Sequence, residues 1–487
     1  MNALLARIVV LVSGAAILVV ETLATRLVAP YVGLTLESTT AVIGVALAGI
    51  AAGAALGGRW ADVLPPRRVA AGALVVGGLG VLAVRPLVRL FGPVLGPGPY
   101  AAVLLVAVST LVAVTALAMV TPAVTRARLS GLEGSGAVIG SLSAAGTLGS
   151  LAGTFLTGFV LVTFFPVTVI LVVTAVTCLL LAVPTAAVRT RPAVVTGSTF
   201  ALVLGIALVF VPGRCHVDTV YYCARVESDP ERVNGRVLVL DDLRHSYVDL
   251  ADPTHLDFAY ARRFAAAVDT AFPAGAPLRA VHLGGGGFTM PRWLAATRPG
   301  SASTVLEVDA GVVDLGRRSL GVDTVPDLTV RVGDARTSLA EVPDASVDLV
   351  VGDAFGARSV PWHLTTAEFD DEVRRVLRPG GLYVLNVIDN DPQLLLRAVT
   401  ATAVDRFGHV VVLIRPDQLA PGGGGNAVLV ASDRELDRAA LEARLAAAGE
   451  PGAVLDPAAT RRFAGDAAVL TDDHAPVDQL LTSYRTS

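Results

Sequence analysis

The chain has 487 residues, 53% of them hydrophobic and 16% charged, with a mean hydropathy of +0.64 and a formal net charge of −4. That is too apolar for an ordinary soluble enzyme, the length implies more than one domain, and there is no basic excess of the kind a nucleic-acid partner requires. All 38 basic residues are arginine, so lysine Schiff-base chemistry and a P-loop lysine are excluded.

The first half reads as membrane. Apolar stretches at 4–28, 38–58, 69–90, 100–122, 136–160, 166–186 and 193–212 predict seven spans, each near the roughly 20 residues a helix needs to cross a bilayer. The first has no small-residue cleavage pattern and reads as an uncleaved anchor. Pro65-Pro66, Gly96-Pro97-Gly98-Pro99 and Phe165-Pro166 separate spans, and small residues recur at Gly49 to Gly53 and Gly140 to Gly153, where helices can approach closely in lipid. Arg7, Arg59, Arg67, Arg68, Arg126, Arg128, Arg189 and Arg191 fall on one side, against Arg26, Arg85, Arg89 and Arg214 on the other. This bias predicts a multi-pass protein of the cell membrane with a cytoplasmic N-terminus, and seven crossings then place the C-terminal domain outside. Glu21 lies inside the first span; a partner for Arg26 or an interfacial position is favoured over a substrate or proton site.

Cys178 belongs to an apolar run and reads as core. Cys215 and Cys223, eight positions apart, are either a disulfide or two free thiols, and three cysteines with no histidine cluster do not make a zinc site. Residues 214–278 read as a small β lead-in with a connecting helix. Val217 to Val226, Arg236 to Leu240 and His245 to Leu250 are extended, Asn234-Gly235 is a hairpin signal, and Leu256, Tyr260, Phe264 and Val268 share a helical face.

Residues 279–487 form the third predicted domain. Strands at Arg279–Leu283, Thr304–Glu307, Leu328–Val332, Val347–Gly352 and Leu382–Ile388 alternate with helices at 289–298, Ala310–Leu320 and Thr366–Leu377, which predicts a parallel, doubly wound α/β sheet. Ligands in such sheets bind beyond the carboxyl ends of the strands. The special residues fall there: Gly284, Gly285, Gly286 and Gly287 after the first strand, Glu307 ending the second, Asp334 and Ala335 after the third, and Asp353 after the fourth. Glycines allow a tight turn and close ligand approach, and Glu307 can accept hydrogen bonds from both hydroxyls of a ribose. Thr289 stands where a dinucleotide fingerprint has its third glycine. Asp309 and Asp314 read as helix-start residues, and Asp370, Asp371 and Glu372 as a solvated face. Residues 391–465 are assigned a loop at Pro421 to Gly425, helices at 434–448 and near 461, and no chemistry.

On these residues the chain resembles the spermidine synthase family of aminopropyltransferases, and more closely bacterial membrane proteins in which such a domain follows a hydrophobic bundle. Leu364-Thr365-Thr366-Ala367-Glu368-Phe369, Arg378-Pro379-Gly380-Gly381 and Leu470-Thr471-Asp472-Asp473-His474-Ala475-Pro476-Val477 extend the match. The resemblance implies a Rossmann-like, S-adenosylmethionine-methyltransferase-like fold. It implies that Gly284 to Gly287, Glu307, Asp334 and Ala335 hold a thioadenosine nucleoside, that Asp353 is catalytic, and that Tyr260 and His245 contact substrate. The expected reaction is aminopropyl transfer from decarboxylated S-adenosylmethionine, or a related transfer from S-adenosylmethionine itself, to an amine. The expected partners are the nucleoside donor, the amine and the bilayer, with no tightly bound cofactor, no metal and no nucleic acid; a homodimer is compatible with the soluble relatives. The family pattern is broken at Gly287 and Gly356, where it has aspartates, at Ala261, where it has histidine, and by Arg358 in the loop after Asp353. These departures favour, as alternatives, a methyltransferase or other transferase on a non-polyamine acceptor. A polyamine transporter or sensor with a degenerate synthase domain is the remaining reading.

Overall fold

The computed structural model describes every residue except 33–35, 96–98, 130, 132–133, 187–190, 210–214, 242, 357–359, 453 and 482–487, and divides the chain into two units, Met1–Arg214 and Cys215–Ser487. In the first unit, six helices among the described residues are long and apolar enough to cross a membrane: Ala3–Ala29, Leu36–Val63, Pro66–Leu95, Tyr100–Arg128, Ser135–Leu161 and Val167–Thr185. The seventh expected span, 193–212, runs partly outside the described residues, which are helical over Arg191–Val209. Six of the expected seven are thus found among the described residues, and the seventh lies partly outside them.

Small residues let these helices touch. Gly49, Gly53 and Gly57 recur every four residues on Leu36–Val63; a Cβ on Gly53 would stand 2.3 Å from the Thr115 carbonyl oxygen, and one on Gly57 2.6 Å from that of Met119. Gly149 and Gly153 repeat the arrangement against the first helix, 1.9 Å from the Leu11 oxygen and 2.5 Å from that of Ala15. Lipid tails are as apolar as leucine, so contact of this closeness, rather than water exclusion, holds such helices together. Gly140 faces open space and lies off this seam. Arg67 donates to the carbonyls of Pro184, Thr185 and Ala186, supplying partners and positive charge to the end of the helix Val167–Thr185. Cys178 is buried in this unit.

The second unit opens with a disulfide between Cys215 and Cys223. A four-stranded antiparallel sheet follows, ordered β1 (Val217–Asp218), β2 (Cys223–Ser228), β3 (Gly235–Leu240) and β4 (Leu243–Asp249). The extended run expected from Val217 to Val226 is thus folded in two. Asn234-Gly235 does close a hairpin, but at the end of a longer connection in which the Asp229 amide donates to Gly235 and the Tyr247 hydroxyl to the Asp229 carboxylate. The helix Ala259–Ala271 leads into an eight-stranded sheet.

That sheet is ordered β12-β10-β11-β9-β8-β5-β6-β7, with β5 (Arg279–Leu283), β6 (Ala302–Glu307), β7 (Leu328–Val332), β8 (Val347–Gly352), β9 (Leu377–Asn390), β10 (His409–Leu413), β11 (Gly424–Ser432) and β12 (Val454–Leu455). The pairs β5–β6, β6–β7, β5–β8 and β8–β9 are parallel, as the alternation predicts. The pairs β9–β11, β10–β11 and β10–β12 are antiparallel. The stretch 391–465 therefore corrects the expectation of loop and helices alone: it contributes β10, β11 and β12, and Gly424 and Gly425 open β11. Val350, Val351, Val384, Val387, Val428 and Leu429 are almost wholly buried. Fully burying a side chain of this size contributes about 1.5–3 kcal/mol. The chain order reverses between β5 and β8, which opens a crevice at their carboxyl ends.

Candidate active site

A cavity of about 270 Å³ lies in this crevice, wholly within the second unit. Gly284 to Gly287 form one wall, and Asp353, Asn386 and Asn426 another. The loop after β5 passes close to the end of β8: Gly284 has φ +90°, and a Cβ there would stand 2.6 Å from the Asp353 carbonyl oxygen. Gly286 has φ +48°, and the buried Phe288 holds a left-handed conformation (φ +59°) at the start of the helix Thr289–Thr297. A non-glycine residue there is held against its own preference by the surrounding packing.

Asp353 follows β8 and faces the cavity, accepting a hydrogen bond from Asn386 Nδ2 at 2.9 Å and another from the Tyr260 hydroxyl. Burial raises its carboxyl to about 6, and these two hydrogen bonds pull the other way. Asn386 in turn accepts from Asn426 Nδ2 at 3.0 Å, so a relay runs from β11 through β9 to Asp353. Behind Asn426, the buried Arg263 guanidinium donates to the Asn426 carbonyl at 2.6 Å, to Gln418 and to the buried Glu450. Tyr260 is buried, its hydroxyl held well above its ordinary range by burial and by Asp353.

Glu307 is buried and points at the glycine loop. Its Oε2 accepts from the Gly285 and Gly286 amides at 2.7 and 3.3 Å, and its Oε1 from the Asp309 amide at 2.9 Å. Burial raises its carboxyl, opposed by those amides. It stands behind the loop rather than among the residues lining the cavity. Asp334 is placed outside the lining as well. It caps the short helix Ala335–Leu339, accepting from the Arg336 and Thr337 amides, and pairs with His363 Nε2 at 2.8 Å. Ala335 is buried beside it. His245 does line the cavity, its imidazole pushed down to about 4 by burial. Asp309 caps its helix as expected and also accepts from the Thr219 hydroxyl. Asp370 corrects the solvated-face reading: it is buried, whereas Asp371 and Glu372 pair with Arg406 and Arg375. Arg358 lies outside the described residues.

Asn386, Asn426, Ser246 and His282 were not singled out from the sequence. Ser246 Oγ accepts from the Gly287 amide at 2.6 Å, which ties the glycine loop to β4. The available signal was a polar residue within an apolar strand, as in Leu385-Asn386-Val387 and Val281-His282-Leu283. The Leu470 to Val477 stretch also finds a place. Asp472 accepts two hydrogen bonds from Arg336, at 2.7 and 2.6 Å, and one from Thr366, joining the end of the chain to the helix after β7.

A sheet of this order with a glycine loop at the switch point defines a methyltransferase-type α/β unit, and residues 281–385 match the family model described as a methyltransferase domain. Within that class the chain is similar to polyamine aminopropyltransferases. It is 31% identical over 112 residues to the polyamine aminopropyltransferase of Vibrio vulnificus (strain CMCP6), covering 23% of this chain and 38% of that protein. It is 30% identical over 132 residues to a probable polyamine aminopropyl transferase of Bifidobacterium longum (strain NCC 2705), covering 27% of this chain and 29% of that one. The chain thus spans well under half the length of either relative. Among solved structures, a probable spermidine synthase from Corynebacterium glutamicum ATCC 13032 is similar over 57% of this chain and all of its own, at 29% identity and a TM-score of 0.50. The present chain joins a spermidine synthase-like α/β unit to an apolar helical one.

Proposed function

We propose that the second unit transfers an aminopropyl group from a decarboxylated S-adenosylmethionine-type donor to an amine. The observation that carries this reading is Asp353. It is a carboxylate at the end of β8, facing the cavity opposite the glycine loop, oriented by Asn386 and Tyr260 and raised to about 6. At neutral pH it is mostly ionised yet basic enough to accept a proton. The likeness to aminopropyltransferases supports the choice of donor.

In the proposed reaction, Gly284 to Gly287 approach the donor closely and Glu307 holds that loop in shape beside the ribose. An acceptor amine arrives as an ammonium ion and cannot attack until it loses a proton. Asp353 takes that proton. The nitrogen lone pair then forms the new carbon–nitrogen bond as the carbon–sulfur bond breaks, and its electrons neutralise the sulfonium, leaving a thioether nucleoside. Holding both reactants in one cavity removes most of the encounter entropy.

Transfer of a methyl group from intact S-adenosylmethionine is a second reading. It is favoured by Gly356, which leaves the loop after Asp353 without another carboxylate at that position, and by the methyltransferase-domain match. Calorimetry of the full-length protein in detergent with each donor, together with mass analysis of the products formed on an amine, separates the two. An aminopropylated product supports the first reading and a methylated one the second. Binding of neither donor removes both.

A further inference from the structure

A groove of about 590 Å³ lies wholly within the first unit and takes no part in the proposed reaction. Leu36–Val63 and Pro66–Leu95 form its two walls, and Tyr100–Arg128 its floor. Glycines set this arrangement. Gly53 seats one wall on the floor at Thr115, and Gly80 seats the other at Ala113, where a Cβ would stand 2.9 Å from the Ala113 Cα. Between those two seams lies open space, and a Cβ on Gly72 would meet nothing within 4 Å.

The groove is apolar and accessible. Trp60, Val76 and Val112 line it and are 51%, 47% and 63% exposed. On helices that cross a bilayer, such a surface meets hydrocarbon. The seams between helices in this unit are lined by glycine, which lets backbones approach. The groove is rimmed instead by leucine, valine and tryptophan side chains, which hold another helix off and suit a flexible acyl chain.

Charge at the groove selects the headgroup. Arg68 lines it, is exposed, and has no ion pair or side-chain hydrogen bond among the described residues. It differs in this from its neighbours at the same end of the helices. Arg67 is committed to the carbonyls of Pro184, Thr185 and Ala186, and Arg126 to Asp62. Arg68 also sits in the first turn of Pro66–Leu95, where the helix dipole adds positive potential. Trp60 beside it is the residue type that settles at the level of lipid headgroups.

Resting on the membrane-spanning reading of these helices, we propose that the groove holds one anionic glycerophospholipid, with an acyl chain between the walls and its phosphate at Arg68. A zwitterionic lipid brings its own cation to the headgroup and gains less from the arginine. A phosphate without the acyl chain meets an exposed guanidinium in water, where the attraction is weak.

The full-length protein in detergent, washed free of lipid, is titrated by native mass spectrometry. The probes are phosphatidylglycerol and phosphatidylcholine with identical acyl chains, and glycerol 1-phosphate. One phosphatidylglycerol per chain is expected to bind about fivefold more tightly than phosphatidylcholine, the size of one arginine's attraction to an acidic lipid, and glycerol 1-phosphate more weakly than either. In Arg68→Gln the two lipids bind alike. In Gly72→Leu both weaken together, because the new side chain enters the open space of the groove without a clash. Equal affinities for the two lipids in the unaltered protein overturn the proposal, whether or not either variant folds. So do glycerol 1-phosphate binding as tightly as the lipids, and a preference that survives Arg68→Gln. A dimer that Gly72→Leu disrupts and lipid does not would give the groove to a second copy of the chain and overturn it too.

Discussion

The amide of Asn386 donates to Asp353 Oδ1 at 2.9 Å, from a neighbouring strand in the wall of the same cavity. This contact both aims the carboxylate and lowers its pKa against the effect of burial. The rate of transfer is therefore expected to climb as pH rises through about 6, where Asp353 loses its proton and becomes a base. In Asn386→Leu the lowering hydrogen bond is gone, so the midpoint moves to higher pH. A pH profile of kcat/KM on both proteins checks the sign; a midpoint that moves down, or stays, refutes the assignment.

Asp353→Asn keeps the size of the side chain and removes the base. Loss of a positioned proton acceptor lowers rates about 10²–10⁴-fold. Calorimetry is expected to find donor binding largely retained while turnover falls by that factor. Comparable losses in both would make Asp353 a binding residue only.

Gly284→Ala puts a Cβ 2.6 Å from the Asp353 carbonyl oxygen, on a backbone at φ +90°. Neither the clash nor the conformation can be relieved without moving the end of β5 away from the end of β8. Donor binding is expected to weaken at least tenfold, and a normal dissociation constant for the variant would show that the loop tolerates the shift.

Glu450→Ala leaves the Arg263 guanidinium, 1% exposed, without its carboxylate. Removing one partner of a buried pair typically costs about 3–5 kcal/mol. Because Arg263 also holds the Asn426 carbonyl, activity should fall with stability. Thermal unfolding in detergent and turnover at a temperature where the variant is folded measure the two effects.

Asp370 is buried, and burial, reinforced by Asp371 and opposed by Arg406, raises its carboxyl to about 8. The free carboxyl ionises near 3.8, so the folded state is progressively penalised as pH rises from there towards 8. Asp370→Asn removes that penalty. The variant is expected to melt higher than the parent at pH 8 and equally at pH 3, and a lower melting temperature at pH 8 would contradict it.

The parallel half of the sheet was legible because each strand is a short β-branched run ending at a glycine or acidic residue, and each helix between them shows a 3.6-residue rhythm. Leu283 to Gly287 and Val350 to Asp353 carry that pattern plainly. The antiparallel addition was not legible. Gly424-Gly425-Asn426 reads as the tail of a flexible loop, and only pairing with Ile388 to Asn390 on β9 makes it a strand. That pairing is a contact between distant parts of the chain, which no local propensity encodes. Glu307 and Asp334 were picked out by position alone. What the fold adds is their company: glycine amides for one, a helix start and His363 for the other. Asp370 misled because it sits in a run of three acids, and its helix turns just that one inward.

The relay from Asn426 through Asn386 to Asp353 has a practical corollary for anyone trimming this polypeptide. Cutting after β9, at residue 390, would retain the glycine loop, Glu307 and Asp353 and still discard the amide that steadies Asn386, along with the Arg263 anchorage at Asn426 and Glu450. A fragment that keeps the Asp353 carboxylate aligned has to run past Glu450, because the stretch that aligns it lies some 70 residues later in the chain, two strands and about 10 Å across the sheet.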